Sequence, residues 1–190
     1  MNGTPEYESL LKLCRARRSC RAFAAKPVQR ADVERIVALA SASPYASGSK
    51  SWEIIAVDDK AKISAMAQAI RSRCATLSAA LDGDYKKEFE DYSRFFSAFE
   101  SAPVVLLPAF REKKILSLLL AKPELAAYER ENSVKSISCA AMLALLAAES
   151  LGLAACYMTG PLLAAEEIGQ IVGLRPGREI AAVIPLGYKG

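Results

Sequence analysis

The stretch VKSISCAAMLALLAAESL, residues 134–151, decides the fold. No residue from Ile137 to Ala148 is charged, and most side chains of this segment are small, because it is rich in alanine. A helix that is apolar on every side must be buried on every side. We therefore expect a central core helix. It belongs either to a monomer core or, as we favour, to the core of a dimer, because small side chains let a second helix approach closely.

The segments around this helix predict an α+β fold. A period near 3.6 residues predicts helices at Tyr7–Arg17, Asp32–Ala42, Lys60–Leu81 and Ala165–Val172. Apolar, β-branched stretches between turn residues predict strands at Trp52–Val57, Pro103–Leu107 and Ile180–Leu186, and a fourth short strand fits Ala155–Met158. This order favours a small sheet packed by helices over a repeating β-α alternation.

Length and composition limit the class of protein. With 190 residues, of which 52% are hydrophobic and 24% charged, the chain fits one globular domain over residues 1–190. Its N-terminus lacks the pattern of a secretory signal, and its longest charge-free apolar run is short for a membrane span. We expect a cytoplasmic protein that does not bind a membrane. The sequence contains no histidine, which excludes Ser-His and Cys-His nucleophile pairs and histidine-ligated zinc.

Basic residues are concentrated in the segment Arg15–Arg21, which holds four arginines in seven residues. Guanidinium groups match phosphate oxygens in pairs, so the cluster is a candidate phosphate site. A solvated helix end is an alternative, since cations favour the C-terminal end of the helix dipole. A nucleic-acid surface is a third, but the formal charge of the whole chain is only +4, so we do not expect nucleic-acid binding.

Two further polar clusters are candidate ligand-binding loops. Residues 43–52, SPYASGSKSW, join a predicted helix to a predicted strand, and residues 152–161, GLAACYMTGP, follow the central helix. Their glycines permit tight turns and close backbone approach to a ligand. Plain connections between elements remain an alternative for both.

The three clusters together resemble the nitroreductase family of flavin mononucleotide (FMN) enzymes. The family's opening Arg-rich element is matched by Arg17-Arg18-Ser19-Cys20-Arg21-Ala22-Phe23. Its next element is matched in part by Pro44 and Trp52, and its Gly-Leu-Gly-x-Cys element by Gly152–Tyr157. Leu186-Gly187-Tyr188 matches the closing element. The resemblance implies a mostly antiparallel sheet and a homodimer with two flavins at its interface.

The resemblance also implies roles for individual residues. The opening element of the family holds the FMN phosphate and ribityl chain, and its second element reaches the flavin of the partner subunit. The expected cofactor-binding residues are therefore Arg17, Arg18, Ser19, Arg21, Pro44, Tyr45, Gly48, Lys50, Met158, Thr159, Gly160 and Lys189. No side chain is expected to be catalytic, because the flavin carries the chemistry.

The second element departs from the family pattern at two positions. Gly48 stands where the family has an asparagine that can hydrogen-bond the flavin, and Lys50 stands where it has a glutamine. A lysine there would place a cation near the pyrimidine end of the ring. We expect such a cation to raise the reduction potential of the flavin.

An aromatic stripe between residues 85 and 99 bears on the substrate. Tyr85, Phe89, Tyr92, Phe96 and Phe99 recur at alternating spacings of four and three, which predicts one aromatic helix face. Such a stripe is typical of core. The resemblance offers the alternative that the helix covers the flavin, with Tyr92 and Phe96 contacting a planar substrate.

The function implied by the resemblance is transfer of electrons from NAD(P)H through FMN to a small aromatic or quinone-type acceptor. A flavin-binding protein of the same fold with little reductase turnover is the alternative.

Overall fold

The computed structural model describes residues 3–48 and 50–190. Its helices are α1 (Pro5–Ala16), α2 (Arg30–Ala40), α3 (Lys60–Ala79), α4 (Gly83–Ser93), α5 (Leu116–Leu119), α6 (Leu125–Ser150) and α7 (Ala165–Val172). Its strands are β1 (Trp52–Val57), β2 (Val104–Arg111), β3 (Ala154–Ala155), β4 (Arg178–Ile180) and β5 (Ile184–Gly187).

The strands form one antiparallel sheet around β2. The strand order is β1-β2-β5-β3, with β4 also paired to β2. Successive side chains of β2 enter opposite cores, as the two-residue period of a strand requires: Val104 and Leu106 face α2 and α6, whereas Val105 and Leu107 face α3 and α7. The result is a sheet between two helical layers, which confirms the predicted α+β fold.

The predicted strand Ile180–Leu186 is wrong as a single element. β4 pairs with the last three residues of β2 and β5 with its first three, and the two are separated opposite Pro108. Proline has no N–H to donate to a ladder. Between β4 and β5 the chain leaves the regular ladder with β2. There the Ala181 N–H donates to the Pro108 carbonyl at 2.8 Å, and Val183 exchanges two hydrogen bonds with Met158 instead of with β2.

The central helix α6 is nine residues longer at its N-terminal end than residues 134–151 predict. By length and composition it resembles a membrane span, but half of its most apolar stretch is buried, and it packs against α2 and the sheet as a core helix. Within one chain it is not buried on every side, because Cys139 and Met142 are exposed. This leaves an apolar strip on the surface of the single chain.

The predicted aromatic face over residues 85–99 is also wrong. Helix α4 ends at Ser93, and the chain then turns. Phe96 and Phe99 consequently enter the core beside α3, with 8% and 0% of their surface exposed, whereas Tyr92 is 71% exposed. A spacing rule for one face applies only while the helix continues.

A buried carboxylate fixes the segment between β2 and α6. Glu129 of α6 accepts hydrogen bonds from the backbone N–H groups of Ile115, Leu116 and Ser117 at 2.6, 2.7 and 3.1 Å, and from the Ser117 hydroxyl at 2.7 Å. Burial alone would raise the pKa of Glu129, but these hydrogen bonds outweigh it and lower the pKa below its ordinary value. The carboxylate therefore anchors the short helix α5, whose leucines are largely exposed.

We expect Glu129→Ala to release this segment, because the substitution removes the acceptor of four hydrogen bonds. Amide hydrogen exchange of Ile115, Leu116 and Ser117 should accelerate relative to the wild type. In the wild type the anchor is complete at neutral pH and is lost as the pH falls through the lowered pKa of Glu129. Glu131→Gln, on the exposed side of the same helix, is the control. Equal exchange in all three proteins would contradict the assignment.

Candidate functional site

The arginine-rich segment is held at the edge of the sheet by its backbone. After α1 ends at Ala16, Ser19 lies beside Ala155 of β3 in a parallel bridge, and the Cys20 N–H donates to the Ala155 carbonyl at 3.1 Å. Further along, the Ala24 N–H donates to the Tyr188 carbonyl at 2.9 Å. These bonds leave the side chains free to face outward.

The last residues of the chain complete this edge. Phe23 and Lys189 form an antiparallel bridge, and the Gly190 N–H donates to the Ala22 carbonyl at 3.1 Å. Lys189 is exposed next to the arginine segment. The structure thus brings the first and last of the predicted cofactor-binding elements together.

The side chains of the segment differ in their surroundings. Ser19 and Arg21 are exposed, and Arg17 is half-buried. Arg18 donates from Nη1 to the carbonyls of Arg15 and Arg17 at 2.7 and 3.0 Å, so that its guanidinium caps the C-terminal end of α1. In this arrangement Arg18 supports the segment at the helix end.

The turn after β3 lies next to the same edge. Met158 is buried and bonded to Val183, while Thr159 is exposed and Gly160 half-buried. A Cβ added to Gly160 would come within 2.3 Å of the Phe96 ring, so a glycine is needed here for close packing.

Aromatic residues at the end of α4 and just after it link this turn to the arginines. The Phe96 ring meets Tyr92 edge to face at 5.0 Å between centroids, and the Arg21 guanidinium lies 5.8 Å from the centroid of Phe95. Phe95 falls outside the alternating spacing of the aromatic stripe, so that spacing does not mark it. Its only sequence signal is the adjacent Arg94, whose guanidinium also lies over its ring.

The second predicted element lies elsewhere on the chain. Its residues Pro44 and Tyr45 are exposed, and the Ala46 N–H donates to the Ser136 hydroxyl of α6 at 3.0 Å. Gly48 has a φ of +64°, a conformation that favours glycine. Among the described residues, no hydrogen bond joins this loop to the arginine segment.

Lys50 closes that loop and is engaged within its own chain. Its ammonium donates to the Ser41 hydroxyl at 3.0 Å and lies 4.1 Å from the centroid of the Trp52 ring. The predicted role of Lys50 beside a flavin stays a prediction.

Comparison with known proteins identifies the family. The model of the nitroreductase family matches residues 14–188, which is nearly the whole chain. The chain belongs to the nitroreductase family. Among curated proteins, none matches the sequence.

Solved structures share the fold of this nitroreductase-family chain. A BluB-like flavoprotein from Clostridium difficile 630 has a TM-score of 0.85 at 21% identity, over 95% of this chain and 90% of that one. An iodotyrosine deiodinase bound to FMN and 3-iodo-L-tyrosine has a TM-score of 0.74 at 21% identity, over 95% and 90% of the two chains. An FMN-bound nitroreductase from Bacteroides fragilis NCTC 9343 has a TM-score of 0.71 at 21% identity, over 95% and 88%.

The donor set of this nitroreductase-family chain fits a flavin phosphate. Arg17, Arg21 and Lys189 supply cations, and Ser19 supplies a hydroxyl, on one exposed edge of the sheet. Charge-assisted hydrogen bonds from such groups are the strong ones for a phosphate. The bridge between Phe23 and Lys189 brings residues from opposite ends of the sequence to this edge.

A cavity of about 1220 Å³ lies between α2, the end of β1 and the start of α3, and Ala25 and Pro27, which follow the edge segment, also line it. It is lined by Val33, Val37, Ala56 and Ile63 among others, and none of the predicted cofactor-binding residues lines it. The cavity volume within one chain therefore does not identify the predicted cofactor-binding site.

We expect Gly160→Ala to destabilise the protein by about 1–3 kcal/mol, because the added methyl must displace the buried Phe96 ring. Urea unfolding measures the change. The same substitution should cost less in a Phe96→Leu background, where the ring is absent. An equal loss of unfolding free energy in the two backgrounds would show that the added methyl group does not displace Phe96.

Proposed function

We propose that the protein is an FMN-dependent oxidoreductase that passes electrons from NAD(P)H to a small aromatic or quinone-type acceptor. The observation that carries the proposal is the convergence of the arginine segment, the turn after β3 and Lys189 on one edge of the sheet. Membership of the nitroreductase family, and the FMN named for two of the similar structures, support it.

The chain's own residues would hold the cofactor. Arg17, Arg21 and Lys189 would bind the phosphate, with Ser19 donating its hydroxyl, and the backbone of residues 158–160 would flank the ring. Bound FMN would supply hydride transfer, which no side chain of this protein offers. Because the sequence has no histidine, protons would come from water.

Packing inside the chain would hold the residues of this site in position. Phe96 fills the space beside Gly160 and fixes the turn, while the Phe95 ring under Arg21 limits the motion of that guanidinium. The exposed ring of Tyr92 stands at the edge of this aromatic group, where it would contact a planar substrate.

A second copy of the chain would complete the site. The loop with Pro44, Tyr45 and Gly48 is anchored on α6 through Ser136 and precedes β1, whereas the arginine segment lies beside β3 at the other edge of the sheet. The same helix exposes Cys139 and Met142. Pairing two chains along this apolar strip would bury it and would bring the loop towards the flavin of the partner subunit.

The direct test is the absorption spectrum of the purified protein before and after denaturation. We expect one FMN per chain, released on denaturation, and a sedimentation mass of two chains. Anaerobic addition of NADH or NADPH should bleach the flavin band, and a quinone or a nitroaromatic compound should restore it. A colourless protein that gains no spectrum with added FMN would overturn the proposal. Bound FMN that neither nucleotide reduces would favour a flavin-binding protein without reductase turnover.

We expect Arg17→Gln and Arg21→Gln each to weaken FMN binding about tenfold or more, because each removes a charged donor from the phosphate. Riboflavin lacks the phosphate, so its affinity should be nearly unchanged in the same variants. Fluorescence titration of flavin-free protein measures both affinities. Arg73→Gln, an exposed arginine of α3, is the matched control. Equal losses for FMN and riboflavin would place these arginines away from the phosphate.

A further inference from the structure

A second group of cations meets at the opposite end of the sheet from residues that are far apart in the sequence. Ser51 precedes β1 and accepts a hydrogen bond from the Arg111 N–H at 2.8 Å. Arg111 ends β2 and is paired with Arg178, the first residue of β4. Three strand ends therefore lie side by side.

A cavity of about 660 Å³ opens at this end, within the size range of small-molecule sites. The charged residues that line it are Lys50, Arg111, Lys113, Lys114 and Arg178 on the positive side, and Glu112 on the negative side. Five cations and one anion give this lining a formal charge of +4, equal to that of the whole chain. The cavity is thus a local concentration of positive charge.

Nearby carboxylates neutralise only part of this charge. Glu112 lies 3.7 Å from the ammonium of Lys114, and Glu53 accepts from Arg178 Nε at 3.1 Å. Glu53 is shared, because Arg175 also binds it at 2.7 Å. Lys113 aside, five cations in and beside the cavity stand against the two carboxylates Glu53 and Glu112, so a positive excess remains for an anion.

One buried donor in this group lacks an acceptor. The Nη1 atom of Arg178 is buried, and no hydrogen-bond partner for it exists among the described residues. Leaving a buried charged donor unsatisfied costs free energy, so such atoms are rare unless a ligand or water supplies the acceptor. Because this atom is not accessible from the cavity, it shows that the hydrogen bonds of Arg178 within the chain are incomplete.

One wall of the cavity is apolar. Ile115 and Leu118 line it, with 44% and 75% of their surface exposed. Glu129 holds this wall in place through the N–H of Ile115. A ligand that fits both walls carries an anionic group and an apolar body.

We propose that this cavity binds a phosphorylated organic ligand. Arg111, Lys114 and Arg178 bind the phosphate, because donors from separate segments match a group with several charged oxygens. The apolar part of the ligand lies along Leu118. Lys50, which lines the cavity, also ends the loop assigned to the flavin of the partner subunit, so the ligand is either the dinucleotide donor or a phosphorylated acceptor. The choice between these two sources rests on the proposed function, whereas the site itself does not.

The test is calorimetric titration of the flavin-loaded protein with ADP, which combines a diphosphate with a flat ring. We expect one ADP per chain in the wild type and affinity at least about tenfold weaker in the double variant Arg111→Gln/Lys114→Gln. Both side chains are exposed, and equal melting temperatures confirm that the variant folds. Lys62→Gln/Arg73→Gln, which removes the same charges from α3, should bind ADP as the wild type does.

Steady-state kinetics of the same variants distinguish the dinucleotide donor from a phosphorylated acceptor as the ligand. A raised KM for NADPH or NADH at unchanged kcat identifies the donor, and unchanged KM values with lost ADP binding identify a phosphorylated acceptor. No ADP binding to the wild type, equal binding to the double variant, or loss of FMN from that variant overturns the proposal. The titration requires no turnover, so its outcome is independent of whether a nicotinamide nucleotide reduces the flavin.

Discussion

The structure depends on a few backbone hydrogen bonds that add residues 19–24 to the edge of the sheet. Cys20 is bonded to β3, Ala24 to Tyr188, and Gly190 back to Ala22. Because these bonds use main-chain atoms, they set the position of the segment whatever its side chains are. Arg17 and Arg21 are therefore available for binding, and the site is built on the sheet instead of on a loop that must be ordered by its ligand.

The elements that the sequence predicts well are those with clear local boundaries. β1 and α7 have the predicted limits: turn residues flank the strand, and Gly173 ends the helix in a left-handed conformation. Predictions fail where a contact with a residue distant in the sequence determines the local structure. Pro108 on β2 divides the strand that faces it, and the turn after Ser93 sends Phe96 into the core.

The same contrast applies to the candidate site. The bridge between Phe23 and Lys189 brings the end of the chain beside the arginine segment, and no periodicity in the sequence predicts it. Three cations of the cavity, Arg111, Lys113 and Lys114, are close in the sequence, but no spacing in the sequence links them to Lys50 or Arg178. Lys50 and Arg178 join these three residues only when the strands pair. Their proximity is a property of the sheet register, in which Arg111 lies opposite Arg178.

The strand order also has a consequence for handling the protein. β1 lies at the edge of the sheet, and along its outer side no further strand is paired among the described residues. Its sequence, WEIIAV, is the kind of short, β-prone segment that recruits identical strands from other molecules. Its one charged residue, Glu53, is paired with Arg175 and Arg178, and a raised ionic strength screens the net charge of +4 that keeps identical chains apart. Concentrated, high-salt preparations of the protein are therefore the ones in which intermolecular strand pairing and precipitation are to be guarded against.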